Sequence, residues 1–147
     1  MRYMRLISAL CLVFVLGCSN KEEVWSTQTF IEHFKQSLIE QQLEVEEVAA
    51  VGDIQMQGEN PDTLQVSQNA KHPDRLYIFT FDSAKQATDA LGNTKFATTS
   101  ETLVDAYTSR NIVVIHYVRP ENIGDLEARV EKAVKQTGLP QRSSSIK

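Results

Sequence analysis

Cysteine is scarce in this chain of 147 residues: there are two, Cys11 and Cys18. Cys11 falls inside an apolar leader, so the rest of the chain holds Cys18 alone. That excludes the intrachain disulfides with which many small exported domains are stapled. Glycine is sparse as well, and its six occurrences are too scattered to form a backbone cradle for a phosphate. Positive charge is in deficit, with 15 Lys and Arg against 19 Asp and Glu and a net charge of −4. An acidic chain gains nothing from a phosphate backbone, so nucleic acid is not an expected partner. The same sign argues against adhesion to anionic lipid through a basic patch. A Gly-x-Ser-x-Gly nucleophile elbow is absent, and no two of the three histidines stand at metal-ligand spacing. Neither an enzyme nor a cofactor or metal is expected on these grounds.

What is present begins with an export signal. Met1-Arg2-Tyr3-Met4-Arg5 supplies a positive start, and Leu6 to Leu16 follows without a charge. Those eleven residues span roughly 16 Å as a helix, about half of a hydrocarbon layer. A run of that length suits a signal peptide and not a permanent span. It ends in Val15-Leu16-Gly17-Cys18. This resembles the lipobox of bacterial lipoproteins, in which an aliphatic residue, a tolerated residue and a small residue precede the cysteine. The resemblance implies cleavage between Gly17 and Cys18 and diacylglyceryl attachment to the Cys18 thiol. Acyl chains contribute about 0.8 kcal/mol per buried methylene, so two or three of them hold a protein to a bilayer durably. Residues 1–17 are then the signal peptide and 18–25 the lipidated cysteine with a short polar tether. The expected location is the extracytoplasmic face of a cell membrane. Loss of a leader with two arginines and no acid leaves −6 on 130 residues.

Residues 26–140 read as one domain, and 41% hydrophobic with 23% charged residues is ordinary for a folded chain. Phe30, Ile31, Phe34 and Leu38 recur at helical spacing after Ser26 and Thr27, either of which can cap a helix. Leu43 to Glu46 alternates as a strand, as does Thr63 to Ser67. Lys71-His72-Pro73-Asp74 reads as a break before a third strand, Leu76 to Phe81. Asp82-Ser83 caps a second helix with a small-residue face at Ala84, Ala87 and Ala90. Thr94 to Thr108 takes no clear assignment. Asn111 to Val118 is apolar on both faces, as a central strand is. Ile123, Leu126, Val130, Ala133 and Val134 form the stripe of a last helix closed by Gly138, and 141–147 is a polar tail. The expected fold is α+β: order α-β-β-β-α-β-α, a four-stranded, largely antiparallel sheet with helices packed on one face. This order of elements, with Tyr77 to Ser83 leading into a helix and Arg110 to Val114 after it, resembles small uncharacterised lipoproteins of Bacillus-type bacteria. The resemblance implies a location and a fold type and no activity.

Three features bear on chemistry. His116 lies in the central strand on the face of Ile112, Val114 and Val118, where it is either a base in a pocket or a satisfied core histidine. Asp53, Glu59 and Asp62 crowd one loop, and hard oxygen ligands of this kind can hold calcium, although the spacing matches no calcium loop. Trp25 either sits at a lipid interface or packs on the domain. The function expected is a non-catalytic binding or accessory module of the cell envelope. Its partners are the bilayer through acylated Cys18 and an envelope protein. The alternatives are an envelope enzyme built around His116 and an ion- or ligand-binding lipoprotein.

Overall fold

The computed structural model describes residues 24–52, 54–96 and 103–139. Three α-helices and five strands follow the order α1 (Thr27–Glu40), β1 (Glu44–Val48), β2 (Asp62–Gln68), β3 (Lys71–Thr80), α2 (Ala84–Asn93), β4 (Leu103–Ser109), β5 (Ile112–Val118) and α3 (Asp125–Gln136). A short 3-10 turn, Pro120–Asn122, separates β5 from α3. All strand pairs are antiparallel, in the spatial order β1-β2-β3-β5-β4.

The α+β class and the antiparallel sheet are as expected, but the sheet has five strands, not four. The additional strand, β4, comes from the stretch that takes no assignment in the sequence. Its polar residues Asp105 and Thr108 are buried, which erases the alternation by which a half-buried strand is recognised. β4 joins β5 through the two residues Arg110 and Asn111, with Arg110 at a positive φ of 53°. The supposed break at Lys71-His72-Pro73-Asp74 is the beginning of β3. Asn69 and Ala70, at φ of 60° and 52°, form the two-residue hairpin turn ahead of it. The register then shifts between Val66 and Gln68, and His72 and Pro73 stand against the single residue Ser67. Proline donates no ladder bond, and a bulge is where a sheet accepts it.

The placement of the helices also differs from expectation. α1 and α3 pack together on one face, over Leu64, Val66, Leu76, Ile78, Ile112 and Val114. α2 lies on the opposite face, where Ala87 and Ala90 meet Val104, Ala106, Val113 and Ile115. The helices therefore cover both faces of the sheet. Because β3 and β5 are inner strands, both of their faces are apolar, and their sequence carries no sign of which face each helix takes.

Local chemistry sets the helix ends. α1 stops in a left-handed residue, Gln42 at φ 62°, whose N–H donates to the Ile39 carbonyl at 2.8 Å. The Leu43 N–H reaches the Leu38 carbonyl at 3.2 Å, and both side chains enter the same core. That is a Schellman ending, and it delivers the chain directly into β1. Ser83 caps α2, its hydroxyl accepting from the Gln86 N–H at 3.2 Å. At the head of α3 the Glu127 carboxylate accepts from the Gly124 N–H at 3.0 Å.

Trp25 packs on the domain. Its N–H donates to the Asn111 side chain at 2.7 Å, and the Asn111 amide returns a bond to the Trp25 carbonyl at 3.0 Å. The same amide donates to the Phe81 carbonyl at 3.0 Å. The Arg110 guanidinium lies 4.9 Å from the centre of the indole. Among the described residues no helix is long and apolar enough to cross a membrane.

Candidate functional site

Strand alternation puts His116 on the α1/α3 face, and register puts Leu76 of β3 on one side of it and Asp105 of β4 on the other. Two residues along β3 from Leu76, Asp74 shares that face. Its Oδ2 lies 3.0 Å from His116 Nε2, and both side chains are 0% exposed. The remaining oxygen of Asp74 is equally committed. Oδ1 accepts from the Arg119 N–H at 3.0 Å and from the Asn122 amide at 2.7 Å. Pro120 makes this possible by ending β5 and turning the chain, which brings Asn122 back across the end of β3. There the Asn122 amide also donates to the His72 carbonyl at 2.7 Å.

The surroundings of this pair are buried and acidic. Burial pushes the Asp105 carboxyl above its ordinary range, the neighbouring His116 opposes that shift, and Glu127 and Glu131 of α3 add to it. Burial, reinforced by Asp105, Glu131 and Glu127, holds the Tyr107 hydroxyl protonated far above neutrality. Two buried polar atoms here have no hydrogen-bond partner among the described residues, His116 Nδ1 and the Tyr107 hydroxyl. A histidine held by an aspartate is the basic half of many catalytic arrangements. A general base must nevertheless come within about 2.6–3.2 Å of the proton that it takes. His116 has no exposed surface. The arrangement anchors one end of the sheet: each inner strand presents a polar group to the other, and the chain leaving β5 closes over them.

The other candidate residues do not join it. Glu59 is exposed in a tight turn, where its N–H and carbonyl pair with those of Met56 at 3.1 Å each. Gly58 takes a φ of 87° there, which glycine adopts without strain. Asp62 is exposed at the start of β2, opposite Ile78. Asp53 lies outside the described residues, as do Gly17 and Cys18. Among the described residues no three His, Cys, Asp or Glu side chains come together in a way that could hold a metal ion. His33 and His72 are exposed; His33 meets the edge of Trp25, with ring centres 6.1 Å apart.

Sequence reasoning misses both carboxylates beside His116. Asp74 falls in the apparent break and Asp105 in the unassigned stretch. A usable signal for the second is the β-forming run Leu103 to Thr108 followed by Ser109-Arg110-Asn111, a strand and turn leading straight into β5.

No protein-family model, curated protein or solved structure matches this chain.

Proposed function

We propose that this chain is a lipoprotein, held at the extracytoplasmic face of a membrane by acyl chains on Cys18, whose folded domain is a non-catalytic binding or accessory module. The anchor rests on the sequence Val15-Leu16-Gly17-Cys18 at the end of a signal-length apolar run. The observation that carries the non-catalytic reading is the burial of His116. It is the histidine best placed for chemistry, and it is enclosed and hydrogen-bonded to an aspartate that has no free oxygen.

Among the described residues, the first one hydrogen-bonded to the rest of the domain is Trp25, seven residues past Cys18. Seven residues reach about 24 Å at most. On this reading the domain works within a small domain's width of the bilayer, where an envelope protein or a membrane-derived ligand is the partner at hand.

The test is a Cys18→Ala substitution in cells, with mass spectrometry of the mature amino terminus. The expected result is a diacylglyceryl-cysteine on the wild type and an uncut precursor in the variant. An unlipidated mature terminus on the wild type would overturn the anchor. Cross-linking in intact cells then separates an accessory subunit, captured with one envelope protein only when Cys18 is present, from a free-standing ligand binder.

A further inference from the structure

Among the described residues, the sheet face that carries α2 is only partly covered. α2 lies against β4 and β5, and the residues around Met56 pack beside β3. Two clefts meet in what remains open. One, of about 230 Å³, is bordered by Gln65, Arg75 and Arg119. The other, of about 250 Å³, is bordered by Met56, Phe79 and Phe96. Tyr77 and Tyr117 line both, edge to face with ring centres 5.6 Å apart. The clefts adjoin at these two rings and are treated as one trough, with the guanidiniums of Arg75 and Arg119 at one end and mainly apolar side chains, beside Lys95, at the other.

The charge at this trough runs against that of the whole chain. Arg75 stands opposite Tyr117 in register and so on the trough's face. Arg119 lines the same end and Lys95 the other. None of these three cations has a side-chain partner among the ion pairs and hydrogen bonds of the described residues. The carboxylate bordering the polar end belongs to Asp74, and both of its oxygens are taken up on the opposite face by His116, Asn122 and the Arg119 amide. The nearest acid along the row, Glu46, is separated from Arg75 by Gln65 on the intervening strand, roughly 9–10 Å at two interstrand spacings.

We infer that this trough binds a single-chain amphiphilic anion, with its carboxylate or phosphate head between Arg75 and Arg119 and its tail along Phe79 and Phe96. Guanidinium groups present rigid paired donors that match carboxylate and phosphate oxygens. A small hydrophilic anion leaves the aromatic end empty, and a neutral hydrocarbon leaves two guanidiniums without a partner. The two clefts together fall within the roughly 300–1,000 Å³ of small-molecule sites. The inference rests on the reading of the domain as a non-catalytic binding module and is independent of the lipid anchor.

Among the described residues every core residue lies at Trp25 or beyond, so residues 19–147 contain every described element and serve as the test protein. Titration calorimetry with decanoate, decyl phosphate and decyltrimethylammonium, each kept below micelle formation, gives the answer. The expected result is that at least one anion binds ten times or more tightly than the cation. The Arg75→Gln/Arg119→Gln variant loses that preference at unchanged Tm, and hexanoate binds at least tenfold more weakly than decanoate. Preference for decyl phosphate assigns the head to a phosphate ester, and preference for decanoate to a free carboxylic acid. No heat with either anion, equal binding of the cation, or undiminished binding by the double variant overturns the site. Binding followed by cleavage of the decyl phosphate ester keeps the site and overturns the non-catalytic reading instead.

Discussion

The two faces of the sheet use the same strands in opposite ways. On the α1/α3 face, Asp74 and His116 are sealed from solvent and directed at one another. One residue further along each strand, Arg75 and Tyr117 point the other way into an open trough. A single step in register is all that separates a polar group spent on folding from one left available for a ligand. The closed face holds its acids where they are costly to expose and costly to unpair. On the open face Arg75 and Arg119 have no side-chain partner among the described residues. Charge inside the fold and charge on its surface thus have separate roles, assigned by strand parity.

That contrast can be broken from either side. The largest effect is expected from Asp74→Ala, which leaves His116, Arg119 N–H and the Asn122 amide without their acceptor. Removing one partner of a buried pair costs about 3–5 kcal/mol. Urea unfolding should show a loss of that order, and a loss below about 1 kcal/mol would mean that water replaces the carboxylate and the face is not sealed.

Asp105→Asn tests the same face through pH. The folded protein holds the Asp105 proton to higher pH than the unfolded chain does, because burial penalises the carboxylate. Whatever stability the neutral carboxyl contributes is therefore complete below the unfolded value of 3.8 and is lost as pH rises above it. Asparagine carries no such charge. The variant's stability relative to wild type should climb as pH rises above about 4, level off once the folded Asp105 has ionised, and stay level below pH 4. A difference that is constant across that range would show that Asp105 ionises freely.

On the other face, Ser83→Ala removes the cap of α2 and should cost about 1 kcal/mol, seen as a lower Tm. Because α2 forms one wall of the open face, hydrogen exchange should quicken there and not in α1 or α3. The smallest effect is expected from Arg75→Gln, within about 0.5 kcal/mol of wild type by urea unfolding. A large loss would give Arg75 a role in folding and erase the distinction between the faces.

Most elements of the fold are legible in the sequence, because their periodicities are those of half-buried helices and strands. What is not legible concentrates around His116. Asp74 is hidden by His72 and Pro73, two turn-like residues that a bulge absorbs into β3. Asp105 is hidden because it is a charged residue in a buried strand, where polarity reads as exposure. The pattern that betrays an element is solvent contact on one side, and a polar group folded inward removes that contact. The same limit governs layer assignment: the doubly apolar β3 and β5 accept helices on either face, and tertiary packing alone sends α2 to the side opposite α1 and α3.

The attachment of Trp25 has a mechanical meaning. The residue just ahead of α1 is bonded through its N–H and carbonyl to Asn111, which also holds Phe81 at the end of β3. A pull on the chain preceding Trp25 is therefore delivered to the ends of the two inner strands before it can unwind the first turn of α1. Arg75 and Arg119 lie at the opposite ends of those strands from Asn111, so a tethered molecule turns its cation-lined trough away from the point of suspension.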